Sequence, residues 1–567
     1  MTDHAASKLL LLHPDDGIPS EKEPWGLVVD LGRAPASTYA EWSRVIGCQV
    51  MSLFDLSEGV ADLHRTRELL ELGMGRVVDQ FGIDWWDVLV QSIVPQIQQL
   101  ILLRRLAATV EPGAEIFCTR PHFLATGLQK LSRGRLVTLQ TGPQQLLAGI
   151  RHYLDAFRSL DFAQLTQVLQ DKFDPEHSLR SRFARRRKPE ASPVVLLPSA
   201  YVNVSCTAVA YASMLPDIEF LLIYARNNGR LKTLPKNVRA ASLDSYISRV
   251  DEAELKALAE DWHRLRIKLS RLSAEFDIAE ASGLLHSIEA RLRWGLAIRD
   301  AWHAVFDSET INACLCADDS NPYSRLPLII ARNRGVPALA CHHGALDSRM
   351  AIKKSHADFY LAKSEMEWHY LVRVCRVAAE QIVIVPTNTN APAETPNSTA
   401  SSDCFIFFTE PFHAMGWRSA EIYRELLPRL IALARASDLE LVLKLHPFES
   451  VRSYRNTLRH YLDPKAASEV RVIEGPTTQD LWQRAKCTLT VQSSIALECA
   501  SRGIPVFLLG WLADPCAGYV EQFERFGVGH VLQSPQELDE LPRRIASTKG
   551  KIVQTTPPQT LDSEVLR

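Results

Sequence analysis

Five places along this chain carry residue types suited to gripping a phosphate or moving a proton. The first is Lys444-Leu445-His446-Pro447. The run Leu439 to Leu445 reads as a strand, so His446 stands at its carboxyl end, where Pro447 fixes the turn and biases His446 toward extended backbone. An imidazole there can donate a hydrogen bond to a phosphate oxygen, and Lys444 adds positive charge; the plainer role is a strand-ending histidine capping a neighbouring carbonyl. The second is Ser493-Ser494, between the apolar run Cys487–Val491 and a helical pattern, Ser494 to Arg502. Either serine as N-cap leaves hydroxyls and backbone N–H groups at the positive end of a helix, which suits a phosphate, although ordinary capping would place a serine there too. Glu498 falls one turn further on, within reach of a ribose diol.

The third cluster is Cys341-His342-His343-Gly344-Ala345, after the run Ala338–His342. Adjacent histidines at a strand end can put one imidazole into a cleft as a base or charge stabiliser, and Gly344 allows close backbone approach or a positive φ. A metal is not expected, since no third ligand stands at a standard spacing. In Ala317-Asp318-Asp319-Ser320-Asn321-Pro322, Asp319 or Ser320 serves as a helix N-cap, or one of the two carboxylates serves as a base for an inverting displacement. Glu410, after the run Cys404–Phe408, is a weaker candidate of the same kind.

Every one of these clusters follows an apolar run at its carboxyl end, and such runs alternate with helical patterns along most of the chain. That alternation is the signature of parallel α/β architecture, and continuous rather than alternating apolar runs indicate strands covered on both faces. Strands are expected at 26–31, 49–54, 115–119, 135–139, 194–198, 219–224, 312–317, 338–342, 359–362, 404–408, 439–445, 470–473, 487–491 and 506–509. Helices are expected over 85–107, from about 205, as two long ones within 251–304, after Pro322, and over 419–436, 478–484 and 494–502. Residues 140–190 also look helical and end in the basic run Arg180–Lys188, a solvated segment or a patch for an anionic surface.

The polar stretch Pro386–Ser402 reads as a linker. The expected organisation is an N-terminal α/β region (1–190), a Rossmann-like domain with a helical insertion (191–390), a linker (391–402), a Rossmann-like nucleotide-binding domain (403–547) and a tail (548–567). Ligands of such sheets bind beyond the carboxyl ends of the strands.

At 567 residues the chain is too long for one core. Its 64 basic and 66 acidic residues give a net charge of −2, which offers no reason to expect a nucleic-acid partner. The 11 cysteines form no zinc-like set and read as reduced thiols, with Cys206, Cys404 and Cys487 inside apolar runs and therefore expected to be buried. The N-terminus has no basic stretch followed by an apolar one, and the most apolar long window, Val88 to Leu103, contains four glutamines. A cytoplasmic protein is expected, with peripheral contact with the inner membrane left open.

Taken together, a strand ending in Lys-x-His-Pro, then a strand leading into Ser-Ser-x-Ala-x-Glu with a later Gly-x-Pro (Gly503-Ile504-Pro505), resembles the donor half of GT-B glycosyltransferases of bacterial surface polysaccharide synthesis. With the His343-Gly344 pair in the preceding half, the likeness is to two groups. One is the CMP-sugar-dependent capsule and lipopolysaccharide transferases; the other is the CDP-glycerol glycerophosphotransferases. It covers about residues 310–510. Two departures stand out: Asp318-Asp319 is followed by Ser320 rather than glycine, and His342 precedes His343-Gly344 where the glycerophosphotransferases carry tryptophan.

The resemblance implies a GT-B-like pair of doubly wound parallel sheets with a cleft between them, beside the extra N-terminal region. It implies a transferase, metal-independent, without a cofactor and expected to be inverting, that moves a sugar from a nucleotide-activated donor, CMP-sugar favoured, to a glycan or glycolipid acceptor. Lys444, His446, Pro447, Ser493, Ser494, Glu498, Gly344 and Glu410 would face the donor, and Asp318, Asp319 or His343 would deprotonate the acceptor. The alternatives are a CDP-polyol phosphotransferase, an isomerase like UDP-N-acetylglucosamine 2-epimerase, for which the sequence shows no clear set of carboxylates, and a non-catalytic scaffold of polysaccharide assembly.

Overall fold

The computed structural model describes residues 6–13, 16, 24–32, 36–119, 122–139, 182, 192–226, 229–344, 346, 356–385, 403–410, 422–447, 449–513 and 518–547. The expected linker, the tail and nearly all of the basic run Arg180–Lys188 with the helical stretch before it lie outside these residues.

Among the described residues every strand pairing within the sheets is parallel, and three separate sheets result. The first contains β1 (Ala6–Leu12), β2 (Leu27–Asp30), β3 (Val50–Ser52), β4 (Val110–Cys118) and β5 (Arg135–Thr138), in the order β3-β2-β1-β4-β5. The second contains β6 (Val194–Ser199), β7 (Phe220–Tyr224), β8 (Val238–Ser242), β9 (Ile311–Cys316), β10 (Ala338–Cys341), β11 (Phe359–Ala362) and β12 (Ile382–Ile384), ordered β12-β11-β10-β9-β6-β7-β8. The third contains β13 (Cys404–Phe408), β14 (Glu440–Lys444), β15 (Val470–Ile473), β16 (Ala485–Thr490), β17 (Val506–Leu509) and β18 (His530–Leu532), ordered β15-β14-β13-β16-β17-β18.

Each order starts near the middle of the sheet, runs outward to one edge and returns to fill the other side. That is the doubly wound Rossmann-type topology expected from the alternation, and all three sheets show it. The strand interiors are continuous buried runs, Val194–Ser199 and Cys404–Phe408 among them, because helices cover both faces.

The sequence reading assigns no element to Ala6–Leu12, yet this is the middle strand of the first sheet, with Leu9 to Leu12 at most 1% exposed. It also passes over β8, β12 and β18, which are edge strands, short and only partly buried. The expected helix over 85–107 is two α-helices, Trp85–Val90 and Val94–Ala107, joined by a 3-10 turn. Pro95 lacks an N–H and is accommodated in the first turn of the second helix.

The two long helices expected within 251–304 are four: Glu252–Leu272, Ala274–Ala281, Leu284–Glu289 and Leu292–Ser308. Ser273 breaks the first by turning extended and capping Phe276 N, and Gly283 supplies a left-handed φ of 76° before the third. The helix read from Ser419 is described from Ile422, where a π-helical turn, Ile422–Leu426, precedes the α-helix Leu427–Ala436. Pro428, with no N–H to bond back one turn, sits at this change of pitch. Cys404 and Cys487 are buried as expected, but Cys206 is exposed, because its helix turns that position away from the sheet it covers.

The N-terminal region is fastened to the middle sheet by a tryptophan-rich core and two buried ion clusters. Trp85, Trp86, Trp262 and Trp302 are all fully buried. Gly73 and Gly295 lie flat against Trp86 and Trp85, where a Cβ would come within 2.3 and 2.4 Å of ring atoms. Arg299, 1% exposed, donates to Asp79 Oδ2 at 2.8 Å and to both carboxylate oxygens of Glu254. Arg325, also fully buried, donates to the backbone carbonyl of Asp87 at 2.6 Å, and His356 pairs with the Asp87 carboxylate. No helix among the described residues is long and apolar enough to cross a membrane.

Candidate functional site

In the third sheet the strand order reverses between β13 and β16, and the residues just beyond their ends are Thr409-Glu410 and Gln492-Ser493. Neighbouring β14 ends at Lys444, so His446 joins them one loop away. Pro447 and Glu449 close that loop, with Glu449 N bonded to the His446 carbonyl at 2.9 Å. Thr409 and the Glu449 carboxylate both accept from His446 N, at 3.1 and 3.2 Å, and bond to one another. Glu410 Oε1 accepts from Gln492 N at 2.9 Å, tying the ends of β13 and β16 together.

Burial dominates the electrostatics here. It lowers the His446 pKa to about 4, with His343 and Lys444 adding to the effect, so this imidazole is neutral at pH 7. The Glu410 and Glu449 carboxyls are both pushed up to about 7, by burial and, for Glu449, also by its neighbour Glu410. Glu449 is absent from the sequence reading; its one sequence signal is its place two residues beyond Pro447, inside the turn that holds His446.

Lys444 departs from expectation. It is 7% exposed and its Nζ donates to the Leu445 carbonyl at 3.1 Å, so its charge is spent on the strand end below the turn rather than offered to a ligand. Pro447 is exposed. Ser494 is the N-cap of helix Ile495–Ser501, with helical backbone (φ −63°, ψ −10°) and no capping bond from its side chain, while Ser493 Oγ accepts from Ile495 N at 3.4 Å. Both serines are half-exposed. Glu498 pairs with Arg502 at 3.0 Å, and Arg502 lies over the Trp482 ring, so a ribose would compete with an existing ion pair.

The second sheet supplies the opposing side. Its strands β9 and β10 pair with Ala340 beside Cys316, and two residues further on the same register sets His342 beside Asp318. His342 Nε2 stands 4.0 Å from Asp318 Oδ1, and the His342 and His343 rings stack with centroids 5.1 Å apart. Asp318 is oriented by Ser320 N at 2.8 Å and Asn321 Nδ2 at 2.9 Å. The N-cap of the helix after Pro322 is therefore Asn321, not Asp319 or Ser320; Asp318 shapes the preceding turn.

Asp319 is 1% exposed, and its carbonyl accepts from Arg325 Nε at 3.0 Å, which places it beneath the loop. Gly344 has no positive φ, so the left-handed backbone expected of it is absent, and no atom of the described residues lies within 4 Å of where a Cβ would stand. Its carbonyl accepts from Lys363 Nζ at 3.0 Å. The expectation that no third metal ligand accompanies the histidines is corrected by the same register, since one atom each of Asp318, His342 and His343 lies within 4.8 Å of the others.

The two sides meet. His343 is close enough to His446 to lower its pKa, and burial brings His343 itself to about 4, so two neutral imidazoles from different sheets share one junction. Tyr519 of the third sheet's region donates to Glu367 Oε1 at 3.1 Å and packs edge-on against Tyr370. Glu367 also pairs with Lys363 at 3.2 Å, the residue that holds the Gly344 carbonyl. A cavity of about 340 Å³ lined by Ile431, Asp438, Glu440 and Glu469, among others, lies at the opposite, amino end of β14 and takes no part in this site.

With a nucleotide phosphate at the β13–β16 junction, the raised carboxyls set the sign of a pH effect. A neutral carboxyl repels an arriving anion less than a carboxylate, so binding takes up protons and affinity falls as the pH rises through about 7. Stability runs the same way: the contribution of each group is complete below its unfolded pKa of 4.5 and is lost as the pH rises through about 7. Calorimetric titration in two buffers of different ionisation enthalpy should show proton uptake that Glu449→Gln reduces. Uptake of zero in the wild-type protein would show that no phosphate sits beside these groups.

No family model matches the sequence, and no curated protein matches it. Solved structures similar to the chain include the UDP-GlcNAc 2-epimerase of Methanocaldococcus jannaschii in complex with UDP-GlcNAc and UDP, at 10% identity and a TM-score of 0.41, covering 66% of this chain and 97% of that one. The UDP-GlcNAc 2-epimerase of Neisseria meningitidis is 12% identical, with a TM-score of 0.40 and coverage of 65% and 95%. The wall teichoic acid polymerase TagF is 11% identical, with a TM-score of 0.37 and coverage of 73% and 97%. These are distant likenesses of architecture; the α/β class of this chain follows from its own three parallel sheets.

Proposed function

We propose that the chain is a glycosyltransferase moving a sugar from a nucleotide-activated donor, CMP-sugar favoured, to a cell-surface polysaccharide or glycolipid acceptor, with inversion. The observation that carries this reading is the meeting of His343 and His446, two neutral imidazoles from the carboxyl ends of two separate doubly wound sheets. One sheet would take the donor, and the other would bring the acceptor to it.

In this reading His446 donates its ring N–H to the donor phosphate, joined by the half-exposed Ser493 and Ser494 hydroxyls. The acceptor oxygen bonds to the anomeric carbon as that carbon's bond to the phosphate breaks. The electron pair leaves with the nucleotide, and the acceptor proton passes to Asp318 or His343. The phosphate end of this scheme calls for no metal and no further cofactor. The protein would work in the cytoplasm, at the inner membrane where its acceptor is lipid-linked.

One observation favours a second reading, an epimerase-like isomerase. Glu410 and Glu449, close enough to influence one another and both near neutral pKa, supply the carboxyl pair that the sequence does not reveal. A thermal-shift screen against CMP, CDP, UDP and GDP tests both, since a ligand that binds only the folded state raises the melting temperature. A cytidine nucleotide is expected to give the largest shift, and its sugar conjugate to be consumed only with acceptor present. A shift with UDP alone, with epimerisation of UDP-GlcNAc, would establish the isomerase. A folded protein that responds to no nucleotide would leave a scaffold.

A further inference from the structure

Separately from the transfer reading, and as an alternative to a free base at Asp318 or His343, we propose that Asp318, His342 and His343 form a site for one divalent transition-metal ion, with the ligand preference of zinc. Two imidazoles and one carboxylate are a ligand set of that class, and three protein ligands leave positions open for water or a hydroxyl-bearing molecule. One potential ligand atom of each residue lies within 4.8 Å of the others. The 4.0 Å between His342 Nε2 and Asp318 Oδ1 is too long for a hydrogen bond, and a tetrahedral ion bonded to each at about 2.1 Å would hold the two atoms about 3.4 Å apart, so binding draws them together by about 0.6 Å.

The surroundings also fit. Asp318 is fixed through both carboxylate oxygens, by Ser320 N and Asn321 Nδ2, the kind of outer contact that orients a ligating carboxylate. The His343 ring also bonds the Ala317 carbonyl, which fixes its tautomer, while its Nδ1 is buried without a hydrogen-bond partner. Asp318 and His342 are buried and His343 is half-exposed, so an ion enters past His343, from the side of the junction with His446. Adjacent strand ends build the site, which is why residues 24 positions apart form it and no spacing motif announces it.

The test is metal binding by full-length protein, stripped with a chelator, dialysed and titrated with Zn²⁺ alone. One equivalent should bind with an affinity weakened by at least about a hundredfold in His343→Gln, the loss of a direct ligand exceeding that of an outer partner. Co²⁺ in place of Zn²⁺ should give visible absorption bands that the same variant loses. His343→Gln is chosen because His343 is the half-exposed member, and equal melting temperatures of the stripped wild-type and variant proteins check that the fold is kept; His342→Gln serves as the second variant if they differ. The proposal is overturned if no Zn²⁺ binds, or if both variants bind it as the wild type does. Because the readout is binding, these results stand apart from whether a sugar is transferred.

Discussion

His446→Ala should lower the rate of nucleotide-sugar consumption by about two to three orders of magnitude, the usual effect of deleting one preorganised donor to a developing negative charge. The melting temperature of the ligand-free protein should change little. The His446 backbone holds the loop: its N–H bonds Thr409 and Glu449 and its carbonyl accepts from Glu449 N. Alanine keeps all three. The thermal shift produced by the best nucleotide should shrink in parallel with turnover. His446→Gln, which still offers an N–H, should recover part of both. A His446→Ala protein that binds and turns over its donor normally would remove this residue from the phosphate site.

Arg325→Met should be the most destabilising of the single changes considered, at about 3–5 kcal/mol, because it breaks a buried pair and leaves the Asp87 and Asp319 backbone carbonyls without their donor. Arg325 is fully buried, bonds the Asp87 backbone at 2.6 Å and its carboxylate at 3.3 Å, and holds the Asp319 carbonyl at 3.0 Å. The change thus loosens two things together: the seam between the N-terminal helix Trp85–Val90 and the middle sheet, and the loop carrying Asp318. Urea titration should show an earlier first transition. The nucleotide-induced shift, which belongs to the third sheet, should persist while turnover falls. Loss of that shift together with turnover would mean the damage is global. In this picture the N-terminal third acts on the site by positioning, through Asp87 and Arg325.

The site divides by how local its causes are. His446 could be read from sequence because a strand, a proline and a histidine in succession already dictate a strand-end turn. Ser493 and Ser494 could be read because a strand running into a helix must pass through an N-cap. Lys444 was legible as a residue but not as a role: its place in the strand was right, and only the packed structure shows its ammonium turned onto the Leu445 carbonyl. Glu449 was invisible because a glutamate after a proline turn looks like solvent-facing polarity. The fold buries it beside Glu410 and thereby changes its chemistry.

By itself the sequence determined the α/β class, most interior strands and the strand-end positions of the histidines and serines, since these follow from hydrophobic period and turn chemistry over a few residues. Tertiary structure alone decided which strand ends are neighbours. The pairing of β9 with β10 places His342 beside Asp318, the order β14-β13-β16 gathers His446, Glu410 and Ser493, and the contact between sheets brings His343 to His446. It also decided protonation, because a pKa depends on the desolvation and neighbours a side chain acquires on packing, and no stretch of sequence encodes those locally.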